Sequence, residues 1–292
     1  MPTVVVAPDK FKGSLTAEQV AAAVSSGLRR VVAADVVAVP VADGGDGTVA
    51  AALAAGYEPV SVRAAGPTGE PVRTTYARAG DLAVIEMADV SGLVRLPGGR
   101  QEPLTATSRG LGEVMAAAID AGCRRLVLGI GGSASTDGGA GMLSALGARL
   151  LDAAGAPLAG GGGPLGRLAG LDLTPLRARM GEVTVTVACD VDNPLTGPRG
   201  AAAVYGPQKG ASAADVAALD AHLAHVADVV TVTTGADLRE EPGAGAAGGV
   251  GYAALAVLGA RLRPGIDLVL DLVGFREKLV GADLVITGEG SL

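Results

Sequence analysis

Thr3-Val-Val-Val-Ala7 is a short β-branched run of the kind that lies buried on both faces of a parallel sheet. Thr16-Ala-Glu-Gln19 follows, close to a capping box with Gln at its fourth position, and apolar residues recur at Val20, Val24 and Leu28. That pattern predicts a helix starting after Thr16. Residues 36–41 read as the next strand and 47–55 as the next helix, with Gly56 as its C-cap. A β-α-β-α opening indicates an α/β fold built on a predominantly parallel sheet.

Working outward, 59–65 and 72–79 are extended and joined by Gly66-Pro-Thr-Gly69, a turn signal that predicts a hairpin, and 82–87 is a third extended segment. Strand following strand breaks the alternation, so a domain change is expected near residue 65. The β-α rhythm then resumes: helix 109–121, strand 125–130, helix 141–151, a glycine-proline loop 156–170, strand 183–188, helices 213–232 and 245–258, and a last strand 283–287. A parallel strand ending in a glycine turn should feed a covering crossover helix. After Gly288-Glu-Gly-Ser-Leu292 none follows, so the C-terminal part of the first domain is expected to be missing.

Composition excludes several classes. With 23 Lys+Arg against 30 Asp+Glu the net charge is −7, which lacks the basic field that nucleic-acid binding needs. Two cysteines cannot build a disulfide framework, and Cys123 and Cys189 in apolar strand-like surroundings suit a reducing cytosol. Two His and two Cys make an ordinary zinc site improbable. The uncharged run 242–260 is too glycine-rich for a spanning helix and reads as a buried one, so no membrane partner is expected. Aromatics are only 2% of the chain, so Ala, Val and Leu must fill the core, while 46 glycines serve backbone geometry.

Four segments place acidic or hydroxyl residues beside predicted strand ends, three of them together with Gly: Pro8-Asp-Lys-Phe-Lys-Gly-Ser14, Ala42-Asp-Gly-Gly-Asp-Gly-Thr48 and the Gly129–Gly141 stretch, and, without Gly, Cys189-Asp-Val-Asp-Asn-Pro194. Ligands of open α/β sheets gather outside the carboxyl ends of strands, where glycines let backbone N–H groups approach an anion. Tight turns use the same residues, but four such loops favour a shared ligand site. Gly129-x-Gly131-x-x-Ala134 lacks a helix starting at its glycines, and Gly243-x-Gly245-x-x-Gly248 lacks a preceding strand, so dinucleotide binding is rejected. No Gly-x-x-x-x-Gly-Lys-[Ser/Thr] occurs. Lys10, Lys12 and Lys209 fall in or beside glycine loops. His222 and His225, at i and i+3, read as a solvated helix face rather than a metal pair.

Nine ordered blocks run from residue 3 to 292: Ala7-Pro-Asp-Lys-Phe-Lys-Gly-Ser-Leu15, Val41-Ala-Asp-Gly-Gly-Asp-Gly-Thr48, Ile85-Glu-Met-Ala-Asp-Val-Ser-Gly-Leu93, Ala106-Thr-Ser-Arg-Gly-Leu-Gly-Glu113, the Gly129–Gly141 loop, Ala188-Cys-Asp-Val-Asp-Asn-Pro-Leu195, Tyr205-Gly-Pro-Gln-Lys-Gly-Ala211, Gly243-Ala-Gly-Ala-Ala-Gly-Gly249 and Leu284-Val-Ile-Thr-Gly-Glu-Gly290. Together they resemble the glycerate kinase type 1 family of bacteria. The resemblance implies ATP-dependent, Mg²⁺-assisted phosphorylation of D-glycerate, most often to 2-phosphoglycerate. It also implies two α/β domains, one inserted in the other around an active-site cleft. The expected division is residues 1–65 plus 282–292 for the first, incomplete domain and 66–281 for the inserted one. The family pattern usually has Ser at Lys10, Glu at Asp46, Tyr at Arg109 and Asn at Thr136, and it continues beyond the Gly288-Glu289-Gly290 turn.

On this reading the catalytic residues are Asp190, as the base that orients the acceptor hydroxyl, and Lys12, as a cationic clamp. Substrate and phosphate binding is assigned to Asp43, Gly44, Gly45, Ser108, Arg109, Gly131, Gly132, Ser133, Asp137, Gly138 and Lys209, with Arg109 and Lys209 as further clamps. Asp192 and Glu289 are the metal contacts, Asp43 an additional candidate. The small-molecule partners expected are glycerate and ATP, with a homodimer left open. The alternatives are a kinase for another small hydroxy acid and a truncated, non-catalytic fragment.

Overall fold

A computed structural model describes residues 1–11 and 13–290. Strands β1 (Thr3–Pro8), β2 (Asp35–Ala38) and β11 (Leu284–Gly288) form a three-stranded parallel sheet in the order β11-β1-β2. Helix Ala17–Val31 crosses from β1 to β2; the Thr16 hydroxyl accepts from Gln19 N while the Gln19 side chain accepts from Thr16 N. Its Ala21, Val24 and Leu28 pack on Val4 and Val6.

The second sheet contains β3 (Glu58–Ala65), β4 (Pro71–Ala79), β5 (Leu82–Glu86), β6 (Arg125–Gly129), β9 (Thr184–Ala188) and β10 (Arg261–Arg263), in the order β10-β9-β6-β5-β4-β3. The expected hairpin is present: β3 and β4 pair antiparallel, and β5, β6, β9 and β10 run parallel. A small hairpin, β7 (Arg149–Leu151) with β8 (Gly170–Asp172), lies apart. The expected helix 141–151 is therefore shorter. It spans Ala140–Ala145, because Gly147 takes φ +113 and turns the chain into β7.

The β3 pairing corrects the boundary expected near residue 65, since residues 58–65 are an edge strand of the larger sheet. The chain also rejoins the smaller sheet's core before residue 282. Val269 and Val273 of helix Gly265–Leu272 pack with Val5, Ala7, Val39, Val41 and Ala51. The same helix sends Leu268 the other way, onto Ala77, Val84 and Val127 of the larger sheet, beside Val49 and Ala52 of helix Thr48–Ala54. These two helices are thus buried between the sheets, each with apolar side chains on two faces.

The opposite face of the larger sheet carries the main core, where Ile85, Leu126, Leu128 and Val187 meet Leu111, Met115, Met142 and Tyr252. Tyr76 and Tyr252 are the large aromatic groups fully buried in it. Helix Ala213–Thr234 is long and apolar enough by length and composition to cross a membrane, but Leu219, Leu223, Val226 and Val230 pack into this core.

Candidate active site

Strands β6 and β9 are parallel neighbours ending together at Gly129 and Ala188, so the loops after them open side by side at the carboxyl edge. Loop 42–47, which follows β2, reaches the same edge. It can do so because Gly44 (φ +86) lies backbone to backbone with Gly265; a Cβ on Gly44 would overlap Gly265 Cα and stand 2.7 Å from Ala188 Cβ. A cavity of about 210 Å³ results, with Asp43, Gly44 and Gly45 on one side, Gly131, Gly132 and Ser133 on another, and Asp190, Lys209 and Ala247 completing it. Three of the four expected loops thus meet. The 8–14 loop instead lines a cavity of about 430 Å³ with Phe11, Leu15, Pro40 and Ala50, beside Asp46 and Gly47. Lys10 Nζ joins the two loops, donating to the Asp46 carbonyl and standing 3.7 Å from its carboxylate.

Asp190 Oδ1 accepts from Gly265 N at 2.8 Å, the first N–H of helix Gly265–Leu272. This contact fixes the orientation of the carboxylate. Lys209 is only 2% exposed. Its Nζ donates to Ser133 Oγ (2.8 Å) and to the Ser135 carbonyl (2.6 Å). Burial pushes its pKa down to about 7 against the opposing attraction of Asp137.

Several expected ligands have other work. Asp137 is wholly buried and accepts from Thr107 Oγ1, from Ser108 N and Oγ, and from Gly139 N and Gly141 N. Ser108 Oγ accepts from Met142 N, and Gly138 packs toward Leu223. Asp137, Ser108 and Gly138 brace the glycine loop from behind instead of lining the cavity. Arg109 turns away, its Nε donating to Glu113 Oε1 at 2.8 Å. Asp192 also lies outside the cavity, paired with Arg199 at 3.1 Å. Lys12 falls outside the described residues.

His222 and His225 are half-buried rather than solvated, because the helix covers the 162–168 segment. A ring nitrogen of each hydrogen-bonds a carbonyl there, His222 Nδ1 to Gly162 (3.1 Å) and His225 Nε2 to Leu168 (2.6 Å).

Two features escaped the sequence reading. Glu86, at the end of β5, is buried and accepts from Gly47 N and Val49 N. It thereby occupies the N–H groups at the start of helix Thr48–Ala54, leaving the 43–45 part of that loop facing the cavity. Its signal was an acid closing an apolar strand. The other is Ala247, which takes φ 53 and starts a left-handed run through Gly248 and Gly249 where a regular helix was expected. Gly249 meets Gly138 there, with Gly138 N donating to the Gly248 carbonyl at 2.9 Å.

Among the described residues no three His, Cys, Asp or Glu groups could hold a metal ion by themselves. Mg²⁺ usually takes one or two carboxylates and completes its shell with phosphate and water oxygens. Asp43, in the cavity wall, fits that role. Burial raises the Asp9 pKa, Lys10 opposes, and the charges of Asp43 and Glu289 raise it further.

Fold and cleft together define an α/β protein with a glycine-lined cavity at the carboxyl ends of its strands. A model described as the glycerate kinase family matches residues 4–292. The glycerate kinase of Bacillus subtilis (strain 168) is 50% identical over 99% of this chain and 77% of its own length. The glycerate 2-kinase of Escherichia coli (strain K12) is 46% identical, with the same shares covered. A crystal structure provisionally designated glycerate kinase 2, from Salmonella typhimurium LT2, superposes with TM-score 0.93 at 46% identity, covering 99% of this chain and 79% of that one. The chain belongs to the glycerate kinase family, and is therefore a phosphotransferase. The chain thus spans 77% of the length of these two curated relatives and 79% of the crystallised one.

Proposed function

We propose that the chain transfers the γ-phosphoryl of ATP to the 2-hydroxyl of D-glycerate in the cavity between β6, β9 and loop 42–47. The observation that carries this reading is one cavity in which two carboxylates, a buried ammonium and two backbone glycine segments converge. Phosphoryl transfer needs little covalent help; it needs alignment and neutralised charge. Asp190, held by Gly265 N, takes the hydroxyl proton. Gly131, Gly132 and Ser133 meet the phosphate oxygens, with the Lys209 charge beneath them. Asp43 and Glu289 would hold Mg²⁺, which would supply charge neutralisation at the phosphates. The nucleoside lies in the neighbouring 430 Å³ cavity, against Phe11. The two sheets are read as two domains, the larger inserted after residue 57 and left again near residue 264.

NMR of the product made from D-glycerate and ATP tests the reading. A phosphate on C2 supports it, one on C3 corrects the regiochemistry, and turnover only on hydroxypyruvate or a short sugar acid replaces the substrate.

A further inference from the structure

Glu86 closes β5 at its carboxyl end and is 4% exposed. Its Oε1 accepts from Gly47 N at 2.9 Å and its Oε2 from Val49 N at 3.1 Å. Those N–H groups open helix Thr48–Ala54, whose N-cap, Gly47, has no side chain to offer. The carboxylate comes from the larger sheet, and the loop it grips follows β2 of the smaller one. From there hydrogen bonds continue toward the cavity: Thr48 Oγ1 donates to the Gly45 carbonyl (2.8 Å), and Gly45 N donates to Asp43 Oδ1 (3.1 Å). An apolar residue at the end of β5 would satisfy the core without a buried carboxylate, and burying one is costly unless it is well bonded.

We propose that Glu86 is a positioning residue for phosphoryl transfer, gripping Gly47 and Val49 so that Asp43, Gly44 and Gly45 are held against the cleft. This rests on the function proposed above. Asp89 and Asp46 are the acids facing Glu86; Arg95 pairs with Asp89 at 3.6 Å and Lys10 with Asp46 at 3.7 Å.

The test uses Glu86→Gln, whose amide keeps one acceptor and turns an NH₂ toward the other N–H, and Glu86→Asp, which is one methylene shorter. Hydrogen exchange over residues 43–49 reads the loop without reference to activity. Glu86→Gln should speed it at least tenfold and lower kcat at least tenfold, with KM for glycerate within threefold. Glu86→Asp should recover part of kcat. The wild-type kcat should rise with pH through about 7, as the carboxylate ionises and regains its second acceptor, and Glu86→Gln should flatten that limb. Unchanged exchange at 43–49, or unchanged kcat beside a lowered melting temperature, overturns the proposal. If Glu86→Gln does not fold, Glu86→Asp is judged by the same measurements. A wild-type chain inactive on glycerate sinks the function instead, while the exchange arm still decides whether Glu86 holds the loop.

Discussion

Lys209 and Ser133 meet at 2.8 Å inside the protein, ammonium to hydroxyl, directly behind the glycine loop that faces the cleft. The same ammonium also donates to the Ser135 carbonyl, and its lowered pKa comes mainly from burial. Lys209→Met should raise KM for ATP at least tenfold. It should also change how stability varies with pH. The folded-state pKa is about 7 against an ordinary 10.5, so between these values the unfolded chain carries a proton that the folded chain lacks. Wild-type stability therefore gains up to about 1.4 kcal/mol per pH unit from this group as pH rises through that window. Below about 7 the penalty of the buried charge is present in full. Urea melts of both proteins from pH 7 to 10 check this: their stability difference should move in favour of wild type as pH rises.

Asp190→Asn keeps an oxygen for Gly265 N, so the local geometry should survive while the proton acceptor is lost. The expected loss in kcat is on the order of 10²–10⁴, the usual worth of general acid–base catalysis. Steady-state kinetics with glycerate and ATP measure it. A loss below about tenfold would remove Asp190 from the base role.

Gly44→Ala brings a side chain into the Gly44–Gly265 contact at a positive φ. Gly56→Ala makes a useful comparison: its φ is +98, but a Cβ there meets nothing within 4 Å. Gly56→Ala should cost about 1–2 kcal/mol from backbone strain alone. Gly44→Ala should cost clearly more and also lower kcat, because relieving the overlap shifts Asp43. Thermal unfolding and turnover on the same samples separate the two contributions.

Elements whose evidence is local were legible. The Thr16–Gln19 box starts its helix, and Gly66–Gly69 turns its hairpin. The 141–151 helix was overextended because what stops it, a left-handed Gly147 packed against Pro175, depends on a segment nearly thirty residues away. At the site, the four loops announced themselves through strand ends, and three of them do converge. Which acid faces the ligand was not legible. Asp190 finds Gly265 N and Asp192 finds Arg199 only once the chain has folded. Arg109, read as a clamp, instead extends along its own helix to Glu113. Glu86 looked like part of an apolar strand, and its partners Gly47 and Val49 come from the other side of the cleft.

Asp137 and Lys209 are buried together behind one loop, and their attraction offsets part of the desolvation each suffers. Asp137→Asn turns an NH₂ toward donors that now meet a carboxylate and leaves Lys209 without its counter-charge. Leaving a buried donor or acceptor unsatisfied typically costs about 1–3 kcal/mol. Lys209→Met alone leaves Ser133 Oγ and the Ser135 carbonyl without the ammonium and Asp137 without its cation. The double variant has no orphaned ammonium, so its loss should fall short of the summed single losses by about 1 kcal/mol or more, as coupled neighbours do. Urea unfolding of the four proteins at pH 6, where the folded Lys209 is mostly charged, measures the coupling. Strict additivity would mean that Asp137 braces the loop only through its backbone and hydroxyl donors, and that the cation behind the glycines is held without it.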